Sequence, residues 1–446
     1  MELLNHPISI VSLLIFVIAY GFVVTEEVTH LRKSKPVLFA AGVIWAMIAW
    51  VGAKYDFSHS VEDAIMNAFS EFSQLMLFLL VAMTFINSMT ERNVFEKVRS
   101  RLLAQDYSYK KLFWITGFMA FFLSPIADNL TTALTMCAVV MAVGGDNKKF
   151  VSISCVNIVI AANAGGAFSP FGDITTLMVW QAGVVEFTQF FSLFLPSLVN
   201  YIVPACIMSL FIDGSSENVK NTPVRLKRGA KTIIILFLVT IFFAVSFEQF
   251  LHIPPVFGMM TGLSLLQLFG YYLKRTYLSG PKKISREGTD QPFGVFKQIA
   301  QAEWDTLLFF YGVIMCVSGL SYLGYLALLS NALYYGISTN PVISFTIANF
   351  LMGILSALID NIPVMFSVLQ MHTQESMVLS QWLLITLTTG VGGSLLSIGS
   401  APGVALMGQA RGMYTFYSHL RWTPVIFLGY ILSIIVHLLI WGIIKV

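Results

Sequence analysis

Long apolar runs separated by short polar ones make up almost the whole chain. They fall near 8–25, 36–53, 65–89, 110–143, 150–183, 188–212, 231–249, 255–273, 303–329, 341–371, 378–409 and 422–444. A helix needs about 20 apolar residues to cross a bilayer, and most of these runs suit one crossing. Segments 110–143, 150–183, 341–371 and 378–409 are longer, and each is interrupted near its middle by Gly, Pro, Asp or Asn. A continuous helix of such length would extend about 50 Å, against a hydrocarbon core of about 30 Å. They read as broken spans or re-entrant hairpins. Lipid tolerates such irregular backbone only where it is buried in protein or lines a cavity. Two polar loops, 213–230 and 274–302, stand apart, the second carrying the breakers Ser279-Gly280-Pro281 and Gly288.

The basic residues choose between these forms. If all twelve segments cross, Lys and Arg divide 11 to 15 between the two sides, which is no bias. If 110–143 and 341–371 are hairpins that leave on the side they enter, 24 fall on one side and only Lys54 and Lys445 on the other. Positive residues collect on the cytoplasmic side. The split predicts ten full spans and two hairpins, with the N-terminus outside. The first hairpin enters from the cytoplasm and the second from outside.

The halves also resemble one another. Glu71-Phe72-Ser73-Gln74-Leu75 matches Glu303-Trp304-Asp305-Thr306-Leu307, and Asp128-Asn129 matches Asp360-Asn361, both at an offset of 232. Gly165-Gly166 and Gly172 match Gly392-Gly393 and Gly399 at an offset of 227. With the orientation above, the two repeats are inverted. The predicted fold is an all-α polytopic membrane protein: an inverted repeat with two re-entrant helical hairpins and two broken transmembrane helices. Its expected parts are an extra N-terminal span (1–35), a first repeat (36–212, with hairpin 110–143 and broken span 150–183), a cytoplasmic loop with an extra span (213–254), and a second repeat (255–446, with hairpin 341–371 and broken span 378–409).

Composition removes the competing classes. Of 446 residues 57% are hydrophobic and 11% charged, where a soluble protein carries about 25% charged residues. A soluble enzyme, a nucleic-acid module and a disordered chain are excluded, and the expected environment is a lipid bilayer. Residues 8–24 are followed rather than preceded by basic residues and show no small-residue cleavage site, so they read as the first span. Cys137, Cys155, Cys206 and Cys316 lie in apolar stretches and read as small buried hydrophobes, without disulfide or metal. Trp45, Trp50, Trp180, Trp382 and Trp422 suit interface anchors. His437 has no local polar partner and reads as packing.

Chemistry concentrates at the interruptions. The hairpin tips are Ser124-Pro125-Ile126-Ala127-Asp128-Asn129-Leu130-Thr131-Thr132 and Ser356-Ala357-Leu358-Ile359-Asp360-Asn361-Ile362-Pro363. Asp and Asn at such tips can simply cap the following helix. A neutral residue would cap equally well without the cost of a carboxylate in the membrane, about 2.5–3.5 kcal/mol. Carboxylate, amide and hydroxyl oxygens suit a hard cation such as Na+, which points to Asp128, Asn129, Asp360 and Asn361. The broken spans carry Asn163, Asp173, Thr175 and Thr176 in the first repeat and Ser394 and Ser397 in the second. Inverted repeats with discontinuous helices in matching positions mark secondary transporters with a midplane site. Asp305, with Thr306, reads as a further proton or cation site. Glu303, at the start of the same span, is a further candidate with a solvated interfacial residue as its alternative, and Glu71 suits an outer vestibule. The interior thus holds Asp128, Asp173, Asp305, Asp360 and Glu71 and, by this reading, no Lys or Arg. Desolvated carboxylates near one another hold protons more tightly than usual. Competition of protons and cations for them is the simplest route to exchange, with no cofactor.

The strings SPIADNLTTALTM, NAGGAFSPFGDITTLM, EWDTLLFF, SALIDNIP and GGSLLSIGSAPG resemble the NhaD family of Na+/H+ antiporters, in the ion transporter superfamily. The resemblance covers nearly the whole membrane region. It implies exchange of Na+, often also Li+, for H+ in a bacterial inner membrane, serving pH homeostasis. It implies roles for Asp128, Asn129, Asn163, Asp173, Thr175, Thr176, Glu303, Asp305, Thr306, Ser356, Asp360, Asn361, Ser394 and Ser397, and less directly Glu71; Thr131 belongs to the first tip. Carboxylate transporters of the superfamily have Ser-Asn-Thr at the tips, where this chain has Asp before Asn. By fold analogy a homodimer and an elevator-like motion are expected. The alternatives are a Na+-coupled transporter of an anion or solute and, more remotely, an intramembrane aspartyl protease built on Asp128 and Asp173.

Overall fold

The structure, a computed structural model, describes residues 3–105, 107–214, 223–278, 293–371 and 377–443. Among these residues it is helical throughout, with no strand. The principal helices are α1 (Pro7–Val24), α2 (Ser34–Lys54), α3 (Ser58–Glu91), α4 (Val94–Leu103), α5 (Tyr109–Ala127), α6 (Asn129–Gly144), α7 (Lys148–Gly166), α8 (Ile174–Gln181), α9 (Phe194–Ser209), α10 (Ala230–Leu251), α11 (Val256–Leu278), α12 (Trp304–Tyr322), α13 (Pro341–Leu358), α14 (Asn361–Gln370), α15 (Leu379–Gly392), α16 (Ala401–Gln409), α17 (Phe416–Leu420) and α18 (Thr423–Ile440). The breakers at 279–281 and Gly288 lie outside the described residues.

Ten helices among the described residues are long and apolar enough to cross a membrane, so the protein is a multi-pass integral membrane protein. The number equals that read from the sequence, but the set differs. The ten include α7, from the segment expected to be a broken span, and α13, expected to be the first arm of a hairpin, while α15 is too short to qualify. Length and apolarity alone do not distinguish a crossing from an arm.

The chain divides into two compact units. The first comprises Met1–Ala68, Gln105–Lys220 and Phe309–Val446; the second comprises Phe69–Ala104 and Asn221–Leu308. In the first, α2 and α12 pack closely around Ile44, Ile48 and Val51, with Trp45 donating its indole N–H to the Met315 carbonyl at 2.8 Å. Trp45, Trp180 and Trp382 are buried in the protein rather than anchored at an interface; Trp50 is exposed. Sequence cannot tell these apart, because an indole suits both a core and a headgroup layer. Cys137 and Cys155 are buried and free with their sulfurs 3.8 Å apart, Cys316 is buried, and Cys206, expected inside, is exposed. His437 does have a partner: its Nε2 lies 2.8 Å from the Ser380 carbonyl.

The second unit is built on α10 and α11. Glycines 258 and 262 lie where a Cβ would collide with Ala244 and Thr240, so the two backbones approach closely. In the same unit Glu91 accepts from the Gln298 side chain at 2.6 Å, and Asn87 donates to the Gln298 carbonyl at 3.2 Å.

Within the first unit the same contacts recur at the offsets read from the sequence. Ser124 donates to the Ala162 carbonyl at 2.6 Å, and Ser356 to the Thr389 carbonyl at 2.8 Å. A Cβ on Gly165 would strike the Phe121 carbonyl; one on Gly392 would strike the Gly353 carbonyl. In each half a hairpin arm lies against a broken helix at a point where only hydrogen fits between them.

Candidate functional site

Four helices begin where the interruptions lie, and each is preceded by a short polar residue. Asp128 is the single residue between α5 and α6. Its φ of 57° and ψ of 161° lie in a region that favours glycine, a conformation costing about 1–3 kcal/mol. The carboxylate holds it there, accepting from the Thr131 N–H at 2.7 Å and from the Thr131 hydroxyl at 3.0 Å. Asp128 therefore does cap α6. Asp360 stands at the same place before α14 but makes no capping hydrogen bond. Pairs read as equivalent in sequence are thus chemically unequal.

The breaks in the long segments follow from their own residues. In the first, α7 ends at Gly166 and α8 starts at Ile174. The intervening turn is tied by Thr176, whose hydroxyl donates to the carbonyls of Ser169 at 2.8 Å and Asp173 at 2.6 Å. Asp173 caps α8 through the Ile174 N–H at 2.7 Å. Its other oxygen accepts from the Thr175 hydroxyl and from the Asn361 amide of the second hairpin, both at 2.9 Å. In the second, α15 passes through a short 3-10 turn at Gly393–Leu395, and α16 starts after Ser400.

Asn163 joins the halves. Its carbonyl oxygen accepts from Asn129 of the first hairpin at 3.3 Å, and its amide donates to the hydroxyls of Ser394 and Ser400, each at 2.8 Å. Asn129, Asn163, Asp173, Thr175, Asn361, Ser394 and Ser400 are all buried. Asp360 and Asp173 lie within electrostatic reach of one another. The structure thus gathers carboxylate, amide and hydroxyl groups from both hairpin tips and both broken helices into one unit. Such oxygens suit a small hard cation.

Not every expected residue points into this set. The Ser356 hydroxyl is spent on Thr389, that of Ser397 lies 3.3 Å from the Met407 sulfur, and that of Thr176 closes its own turn. Glu71, Glu303, Asp305 and Thr306 belong to the second unit. There Glu71 and Glu303 are exposed, and Glu303 accepts from the Thr306 hydroxyl at 3.2 Å.

Three participants were not singled out by the sequence. Ser400 stands 227 residues after Asp173, so the offset of the glycines could have found it. His419 is buried, with Nδ1 2.7 Å from the Tyr414 hydroxyl and Nε2 2.8 Å from the Ser394 carbonyl; no local signal marks it. The third corrects an expectation. A basic group does reach these residues, since Lys33 lies 3.4 Å from Asp360. Its place in a basic cluster between two apolar runs concealed that reach.

A family model described as citrate transporter (CitMHS) matches residues 2–390. A Vibrio cholerae protein named Na(+)/H(+) antiporter NhaD is 57% identical over 98% of this chain and 93% of its own length. One of the same name from Alkalimonas amylolytica is 56% identical over 98% and 92%. The Arabidopsis thaliana protein named Sodium/proton antiporter 1 is 31% identical over 91% of this chain and 68% of its own length. Similarity at this level over almost the full length places the chain in the NhaD family, within the wider group that the citrate transporter model describes, and its members are transporters, not enzymes.

Proposed function

We propose that this protein exchanges Na+, and also Li+, for H+ across a bacterial inner membrane by competition of cation and proton for the carboxylates at its interruptions. The observation that carries the reading is the convergence of Asp173 with Asn361, and of Asn129 with Asn163, Ser394 and Ser400, across both halves. Na+ would take oxygens of Asp128, Asn129, Asp360 and Asn361, with Asp173 and its Thr175 partner beside them. The names of the relatives support the same cargo. Asp305 with Thr306 would serve as a further proton or cation site, and Glu303 and Glu71 are carried chiefly by the family resemblance. The N-terminus lies outside, the repeats are inverted, the hairpins are re-entrant, and the working form is a homodimer with elevator-like motion.

Na+-coupled uptake of an anion is the second reading, favoured by Lys33 and by the description of the family model. Lys33, however, is already matched to Asp360, and Asp128 and Asp173 remain. An anion would meet excess negative charge there.

Acridine-orange dequenching in inverted vesicles tests the reading, with NaCl, LiCl or KCl added between pH 7 and 9. Na+ and Li+ should release the quench in wild type and not in Asp128→Asn or Asp360→Asn. An inserted wild-type protein that answers no cation would sink exchange and direct attention to solute uptake.

A further inference from the structure

Lys33 immediately precedes α2, and its ammonium lies 3.4 Å from Oδ2 of Asp360. The same ammonium stands 4.5 Å from the centre of the Phe309 ring, which is fully buried. The two side chains are 21% and 19% exposed, so the pair is largely withdrawn from water, where opposite charges attract more strongly than at a surface. Asp360 makes no cap to its own helix, which leaves its carboxylate to the ammonium. The Tyr20 hydroxyl is within electrostatic reach of Asp360 and has no hydrogen-bond partner among the described residues.

Building on the exchange reading, we propose that Lys33 is a tethered competitor for the transported cation: its ammonium occupies Asp360 when no ion is bound, and Na+ must displace it. The lysine stem is long and flexible and carries a single compact charge, so the group can withdraw without moving the backbone. The Phe309 face retains the ammonium nearby once the pair opens. The carboxylate is then never left bare in a poorly solvated place, and a weak cation cannot hold it. Lys33 sets how much Na+ is needed, as a specificity-determining residue of the site.

The test is a Na+ titration of proton movement at constant pH in inverted vesicles carrying the full-length protein, as wild type, Lys33→Gln and Lys33→Arg. Removing the competitor should lower the half-maximal Na+ concentration about fivefold, the upper end of what an exposed ion pair is worth. A guanidinium grips a carboxylate through two parallel hydrogen bonds, so Lys33→Arg should raise that concentration. Unchanged values in both variants beside a responsive wild type would overturn this inference and leave exchange standing. A folded Lys33→Gln that is inactive at every Na+ concentration, with activity kept in Lys33→Arg, would also overturn it, because the charge would then be required rather than competing. A wild type that fails to respond overturns the exchange reading and this inference with it. Should Lys33→Gln not accumulate, the shift in Lys33→Arg decides.

Discussion

Asp173 serves two masters, and its substitutions separate them. One oxygen starts α8 and the other gathers Thr175 and Asn361. Asparagine caps helices about as well as aspartate, so Asp173→Asn should fold normally and lose Na+-evoked proton movement at least about tenfold. Asp173→Ala should in addition lower the thermal midpoint, since a lost cap costs about 1 kcal/mol. Equal loss of stability in both variants would count against the division of roles. His419 makes a pH prediction. It lies in α17, the short helix between α16 and α18, and burial pushes its imidazole down from 6.5 to about 4. The unfolded chain takes up this proton first, so the stabilising effect of neutral His419 is complete above about pH 7 and is lost as pH falls from 6.5 towards 4. Detergent-solubilised wild type should lose more thermal stability over that window than His419→Gln, which has no such proton to bind. Parallel curves would show that His419 does not titrate differently on unfolding.

At the scale of elements, the close approach of hairpin arm to broken helix is the feature to disturb. Gly165→Ala and Gly392→Ala each force a methyl group against a backbone carbonyl, and overpacking of this kind costs about 1–3 kcal/mol. Gly21 and Gly42 lie in helices where an added methyl group would meet nothing within 4 Å. Alanine there should be neutral or stabilising, because glycine costs a helix interior about 1 kcal/mol. Thermal midpoints of the four variants check this, and equal effects at all four would mean the approach is not tight. These breaks were legible in the sequence because breaking a helix needs particular residues: Gly166, Pro170, Gly172 and Asp173 in one half, and Gly393, Gly399 and Pro402 in the other. Lys33 and His419 were not legible. Their roles arise from where a folded chain carries a side chain, and no periodicity or spacing encodes that. Equivalence of the tips was over-read for a similar reason. Identical Asp-Asn pairs received different neighbours, Thr131 in one and Lys33 in the other.

For the whole molecule, the charge split along the chain makes a direct claim about topology. With the N-terminus outside, the thiol of an Asn5→Cys variant should react with a membrane-impermeant maleimide in intact cells. That of Lys149→Cys, at an exposed position, should react only after the membrane is opened. The reverse pattern would turn the topology over. The four helix starts carry a wider consequence. Each helix N-terminus presents about half a positive charge and by itself is a place for anions. Here three of the four are preceded by an aspartate, Asp128, Asp173 and Asp360, and only the fourth, Ser400, is neutral. The same backbone with serine at all four positions would present uncompensated positive ends. On the proposed exchange, the sign of the cargo becomes a property of three side chains on a shared scaffold, and a lineage could pass between cations and carboxylates while its helices, breaks and close glycine contacts stayed in place.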